Sequence, residues 1–284
     1  MKQRKVLVTG ACGYIGRHVV NELVRRGCHV IASDLRNSGL PEGVEFTDQP
    51  IFDGSADIYE KLGRPDALIH LVWKDGFVHN SAAHMQELSN HITFLNRMVD
   101  AGIWSVSVMG TMHEVGYWEG AIRADTPCNP QSQYGIAKNA LRQSMLLYTQ
   151  GKQTNFHWLR AFYVYGDDRY GSSIFSKIQR AVAENQPTFP FTSGKNMYDF
   201  LPVDELAKQI VAATLQDQKN GVINVCSGKP KTLAEQVEWY ISSNNLPIAL
   251  EYGKFPDRPY DSPGVWGDSA DIEAIMAAQK EYLE

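Results

Sequence analysis

Tyr134 and Lys138 stand four residues apart in Gln133-Tyr-Gly-Ile-Ala-Lys138, and a helix over Tyr134 to Tyr148 puts both side chains on one face. A phenol is a poor acid near neutrality, with a pKa around 10. A neighbouring ammonium or a positively charged nicotinamide stabilises the phenolate and lowers that value. Such a tyrosine gives or takes a proton at a carbonyl or an alcohol, and Lys138 is also placed to hold a nicotinamide ribose. A second group with chemical meaning lies near the N-terminus, in Lys5-Val-Leu-Val-Thr-Gly-Ala-Cys-Gly-Tyr-Ile-Gly16. Gly10 permits a tight turn, Gly13 lets backbone N–H groups approach a pyrophosphate, and Gly16 lets a helix pack on the preceding strand. Tyr14 and Ile15 open that helix, whose unpaired N–H groups and dipole favour negative charge. Asp34 ends the next strand, Val30-Ile-Ala-Ser33, where a carboxylate accepts hydrogen bonds from the adenosine ribose and repels a 2′-phosphate. NAD is therefore the favoured cofactor. Arg36, two residues on, can pair with a 2′-phosphate and leaves NADP open.

These residues need a scaffold that alternates strands with helices. Apolar residues at helical spacing, Val19, Val20, Leu23 and Val24, follow the glycine turn, and Gly27 ends that helix. Further strands are predicted at Ala67–Val72, Trp104–Met109 and Phe156–Ala161. Helices are predicted from Met85 to Asp100, closed by Gly102, and from Tyr134 to Tyr148, closed by Gly151. The alternation argues for an α/β fold with a doubly wound parallel sheet. Late strands at Asp199–Val203 and Val222–Cys226 bracket a helix from Glu205 to Leu215. Residues 1–165 plus about 200–227 read as a dinucleotide-binding domain. Residues of about 166–199 plus 228–284, richer in Gly, Pro, Asn and aromatics, read as a smaller substrate-binding lobe, mostly C-terminal.

In combination these motifs resemble the extended short-chain dehydrogenase/reductases, the NAD-dependent epimerase/dehydratase family that acts mainly on nucleotide sugars. The resemblance spans nearly the whole chain. It includes Asp66-Ala-Leu-Ile-His-Leu71, Arg160-Ala-Phe-Tyr-Val-Tyr-Gly166, Asp199-Phe-Leu-Pro-Val-Asp-Glu-Leu-Ala207, Asn224-Val-Cys-Ser-Gly228 and Arg258-Pro-Tyr-Asp261. It implies a Rossmann domain, with Leu71 at the cofactor. It also implies a third catalytic group, Thr111, at the end of the strand before the tyrosine helix. The segment Gly110-Thr-Met-His-Glu-Val-Gly116 departs from the family pattern: Gly110 replaces a serine and Val115 the usual aromatic. Met112 and His113 stand where 4,6-dehydratases carry Asp-Glu, which argues against dehydration. His113 is instead an extra acid/base, a substrate contact or a structural loop residue. Tyr163 replaces an Asn and Tyr198 an Arg that in relatives touch the nucleotide diphosphate. Arg258, Lys195, Tyr163 and His113 are then the substrate-side candidates. Asn90 matches only loosely an Asn that in relatives supports the active-site helix. Trp73, where a small residue is usual, narrows the nicotinamide side of the cleft.

The resulting expectation is an NAD(P)-dependent reductase of a nucleotide-linked keto sugar, an NDP-4-keto-6-deoxyhexose, with hydride transfer and Tyr134 as the acid/base. A nucleotide-sugar 4-epimerase using the same residues is the alternative, and a non-catalytic NAD(P)-binding regulatory module is a third reading. The balance of 27 basic against 32 acidic side chains lacks the footprint of a nucleic-acid binder. No stretch approaches the length of a membrane span, and four dispersed cysteines suggest neither a metal site nor a disulfide framework. A cytoplasmic protein is expected. By resemblance, a homodimer is expected through the Met85–Asp100 and Tyr134–Tyr148 helices.

Overall fold

A computed structural model describes residues 3–166, 171, 173–257 and 261–280. Its largest sheet contains β1 (Lys5–Thr9), β2 (His29–Ser33), β3 (Glu45–Thr47), β4 (Ala67–His70), β5 (Ser105–Thr111), β6 (Asn155–Ala161) and β7 (Gly221–Val225). These seven strands lie in the order β7-β6-β5-β4-β1-β2-β3, and every neighbouring pair is parallel. The winding direction reverses between β1 and β4, which opens a crevice at the carboxyl ends of those two strands.

Five helices matter for the site: α1 (Tyr14–Arg25), α2 (Leu88–Asp100), α3 (Gln133–Tyr148), α4 (Val203–Thr214) and α5 (Ala270–Lys280). Side chains alternate across each strand, so Val6 and Val8 join a core beneath α1, α4 and α5, while Leu7 joins the opposite one beneath α2 and α3. Leu23, Leu206 and Ile210 close the first face, and Phe94, Leu95, Leu141 and Met145 the second. Each such side chain contributes roughly 1.5–3 kcal/mol by leaving water. Because helices cover both faces, the doubly wound sheet expected from the alternation is what forms.

A four-stranded sheet stands beside it, ordered Lys231–Thr232, Met197–Tyr198, Gly264–Gly267, Gly120–Ile122. Its last strand comes from within the 1–165 stretch, ahead of α3. Conversely α5 lies against the larger sheet: Gln279 donates to the carbonyl of Ala212 at 2.7 Å, and Ile272 and Ile275 enter that core. The helix predicted from Met85 is also interrupted. A short helix, Ala83–Gln86, ends at Glu87 before α2 begins at Leu88.

Candidate active site

The end of β5 and the start of α3 bring the proton-transfer candidates together. Ser132 caps α3, its hydroxyl accepting from the Gly135 N–H at 3.1 Å. Gly135 lies so close to the turn after β5 that a Cβ there would stand 2.4 Å from the carbonyl oxygen of His113. That approach seats Tyr134 beside Thr111 and His113. The Thr111 hydroxyl accepts from the His113 backbone N–H at 3.3 Å and hydrogen-bonds the Tyr134 side chain. Burial pushes the Tyr134 phenol up to about 12, with the Thr111 hydrogen bond pulling the other way and Glu114 adding to the rise.

Lys138, one turn along α3, is buried, and its ammonium donates to the carbonyl of Met109 at 2.8 Å. Burial lowers it to about 7, against the opposing pull of Glu114. Its Nζ lies 3.8 Å from the centre of the Trp73 ring and 6.0 Å from that of Tyr134. Around this pair is a ring of imidazoles, of which only His113 was among the candidates read from the sequence. His79 stacks on Tyr134 with centroids 5.6 Å apart at 12°, and His84 and His113 lie 5.3 and 6.2 Å from the same ring. The loop after β4 is pinned to α3, because the His79 carbonyl accepts from the Tyr134 N–H at 2.8 Å. His84 accepts from the Trp73 indole N–H at 3.0 Å through Nδ1, so its Nε2–H donates to the Val78 carbonyl and the ring is neutral. His91 stacks on Trp73 at 4.5 Å and shares a 2.8 Å hydrogen bond with His70, whose other nitrogen meets the Thr9 hydroxyl at 2.9 Å. Burial, with Lys138 nearby, drops His91 to about 3. Burial with the neighbouring His79 drops His113 to about 4. The density of histidine from the last residue of β4 onward (positions 70, 79, 84 and 91) was the available signal. Asn90 instead faces Glu87, to which its amide donates at 2.7 Å, and it is the adjacent His91 that turns inward.

Behind the site, Glu114 has no solvent exposure. It accepts from Arg160 Nε at 2.6 Å and from the Trp158 indole at 2.8 and 3.0 Å. A carboxylate so engaged is a structural anchor and has no access to a substrate carbon. Trp158 also explains the departure at Gly110, where a Cβ would come within 2.2 Å of the indole nitrogen. Val115, in place of the usual aromatic, is buried in the core under the smaller sheet.

The glycine turn sits across the crevice. Gly10 has φ of 72°, a conformation natural to glycine, and a Cβ there would meet the Val72 backbone N at 2.9 Å. A Cβ on Gly16 would strike the Gly10 carbonyl at 2.1 Å, so α1 packs directly on the turn. Gly13 caps α1 and, having no side chain, makes no side-chain cap hydrogen bond. Asp34 accepts from the Cys12 N–H at 2.8 Å and the Leu35 N–H at 2.7 Å, tying the end of β2 to the turn. Arg36 is exposed nearby, and Leu71 closes the β4 side, its N–H donating to the Thr9 carbonyl at 3.1 Å. Ile15 packs into the core, and Tyr14 lies against Gly166.

The substrate-side candidates are not gathered in the same way. His113 is in the cluster. Tyr163 belongs to an aromatic group with Tyr198 (4.4 Å) and Phe200 (5.8 Å). Lys195 is exposed in the turn after Ser193, with no described contact to the Tyr134 group. Arg258 lies outside the described residues. The Asp199 motif is a clamp: its buried carboxylate accepts from the N–H groups of Ser227 (2.8 Å), Gly228 (2.9 Å) and Gly267 (3.1 Å). No group of three or more metal-ligating side chains is arranged to hold an ion among the described residues.

Residues 6–226 match the family described as NAD dependent epimerase/dehydratase. The chain belongs to this family. It is 44% identical over 268 residues to the dTDP-6-deoxy-L-talose 4-dehydrogenase (NAD(+)) of Aggregatibacter actinomycetemcomitans, covering 92% of this chain and 98% of that one. Among solved structures, it resembles the UDP-N-acetylglucosamine 4-epimerase of Methanobrevibacter ruminantium M1, with a TM-score of 0.83 at 21% identity over 97% of this chain and 92% of that one. It also resembles the UDP-glucose 4-epimerase of Thermus thermophilus in complex with NAD, with a TM-score of 0.78 at 21% identity over 95% and 92%. The NAD dependent epimerase/dehydratase family calls for a dinucleotide, and the turn here fits one. Gly13 brings no side chain to the N-terminus of α1, an end that favours a phosphate, and the Asp34 carboxylate lies beside the turn at the end of β2.

Proposed function

We propose that this protein is an NAD-dependent oxidoreductase acting at C4 of a dTDP-linked 6-deoxyhexose, interconverting the 4-hydroxyl and 4-keto forms. The observation that carries the reading is the meeting of Tyr134, Thr111 and Lys138 at the carboxyl edge of the sheet, across the crevice from a phosphate-binding turn. The sugar is proposed from the 44% identical relative, whose name states that it oxidises such a compound at that carbon. Bound NAD supplies the hydride acceptor in one direction and the hydride donor in the other. In oxidation Tyr134 takes the proton of the C4 hydroxyl, and in reduction it returns a proton to the ketone oxygen. Thr111 hydrogen-bonds the same oxygen, and the Lys138 ammonium stabilises the phenolate. Gly10, Gly13, Tyr14, Ile15 and Gly16 hold the dinucleotide, with Asp34, Leu71 and Lys138, and Arg36 beside the ribose. His113, Tyr163, Lys195 and Arg258 are assigned to the substrate side, the last two from the lobe of about 166–199 plus 228–284.

NAD with dTDP-6-deoxy-L-talose should yield one NADH per sugar oxidised. Interconversion of the 4-epimers without net NADH would replace this reading with an epimerase. A homodimer in the cytoplasm completes the proposal: Met85, Ile136 and Leu147 are exposed on the short helix before α2 and on α3, and the four cysteines are free thiols. Among the described residues no helix is long and apolar enough to cross a membrane.

A further inference from the structure

A buried ammonium needs acceptors or counter-charge, and Lys138 has few. Of its three N–H donors, one is satisfied by the Met109 carbonyl at 2.8 Å. The carboxylate that acts on it, Glu114, is occupied by Arg160 and Trp158. The other groups around it are uncharged: His91 on α2 and His70 at the end of β4 are deprotonated by burial, His84 on the short helix is neutral by its hydrogen bonds, and Tyr134 is a phenol. Among the described residues the remaining partner is an aromatic face. Trp73 brings its ring centre within 3.8 Å of Nζ. The indole is fixed by its N–H bond to His84 and by stacking on His91 at 4.5 Å and 20°. An indole presents the strongest π-face for a cation among the natural side chains, and the attraction grows as water is removed.

We propose that Trp73 is a positioning residue that holds the Lys138 ammonium in place beside Tyr134 through its indole face, with His84 and His91 fixing the ring. The assignment rests on the proton-transfer reading of Tyr134 and Lys138. It gives Trp73, three residues past the end of β4, a positioning role beside the chemistry. Trp73→Leu keeps much of the volume and removes the π-face, so the Lys138 ammonium loses stabilisation. Its protonation midpoint falls by about one pH unit. Less ammonium beside the phenol means a harder ionisation of Tyr134, so the alkaline rise of oxidation moves to higher pH.

The test is NMR of protein labelled with 13C at the lysine ε-carbon, with the Lys138 resonance assigned by its loss in Lys138→Met. In the unaltered protein that resonance should carry an upfield ring-current shift. Trp73→Leu should remove the shift and lower the titration midpoint by about one unit, while Trp73→Phe should keep the greater part of both. An unshifted Lys138 resonance in the unaltered protein overturns the proposal, even if the leucine variant does not fold. So does an unchanged midpoint in Trp73→Leu. Neither measurement needs turnover. Loss of the proton-transfer reading would show separately, as full activity of Tyr134→Phe.

Discussion

Tyr134 and Asp34 carry the sharpest expectations for single side chains. The Tyr134 phenol bonds Thr111 and lies beside Lys138, and general acid–base catalysis is worth about 10²–10⁴ in rate. Tyr134→Phe should therefore lower kcat by roughly that factor, with the dissociation constant of NAD, measured by titration, changing little. Asp34 has two duties, the Cys12 and Leu35 N–H groups on one side and the proposed ribose on the other. Asp34→Ala removes both a charged acceptor and the tie on the turn. Hydrogen bonds to charged groups contribute about 1.5–3 kcal/mol, so NAD should bind about 10- to 150-fold more weakly by calorimetry, with discrimination against NADP reduced.

The turn from β5 into α3 is held from behind. Glu114 is buried with Arg160, itself without solvent exposure, and the pair connects that turn to β6. A buried ion pair is not in itself a source of net stability, but removing one partner strands the other charge. Glu114→Gln should destabilise the fold by about 3–5 kcal/mol, read as a loss of denaturant midpoint. It should disturb turnover more than NAD binding, because the glycine turn stands on the other side of the crevice. An unaltered denaturation curve would mean that Arg160 finds other acceptors, its bond to the Arg123 carbonyl at 2.9 Å being the nearest at hand. The same packing explains why Gly110, Trp158 and Glu114 go together in this chain. A serine side chain at position 110 would collide with the indole that donates to the carboxylate.

Three of the buried histidines, His70, His91 and His157, couple the stability of the whole protein to acid. His91 falls to about 3 and His157 to about 4 through burial, and His70 lies well below its ordinary value for the same reason. In the unfolded chain each protonates near pH 6.5. Below that pH the unfolded state binds protons that the folded state refuses, so stability falls as pH drops from about 6.5 towards 4. Three such groups give a slope on the order of 4 kcal/mol per pH unit. Thermal denaturation followed across that range should show the midpoint falling steeply, and His157→Gln should make the fall shallower. A flat profile would mean that the imidazoles take up protons in the folded protein.

Much of this was legible in the chain itself. Local rules place the glycine turn, the apolar periods of α1 and α3, the parallel winding and the Tyr134–Lys138 spacing, because each depends on residues within a few positions of one another. Strands of two or three residues, such as Met197–Tyr198 and Gly120–Ile122, carry no period to read, so the smaller sheet came only with the fold. The same holds for partners far apart in sequence. Glu114 lies 46 residues from Arg160, and His70 21 from His91. Nothing in local spacing says that Trp73 will lie over Lys138. Chain order brought α5 no closer to the larger sheet, where Ile272 and Ile275 found apolar surface beside α4. The tertiary structure is what turned a scatter of histidines into a ring around one tyrosine, since which segments meet in space is not reported by spacing along the chain.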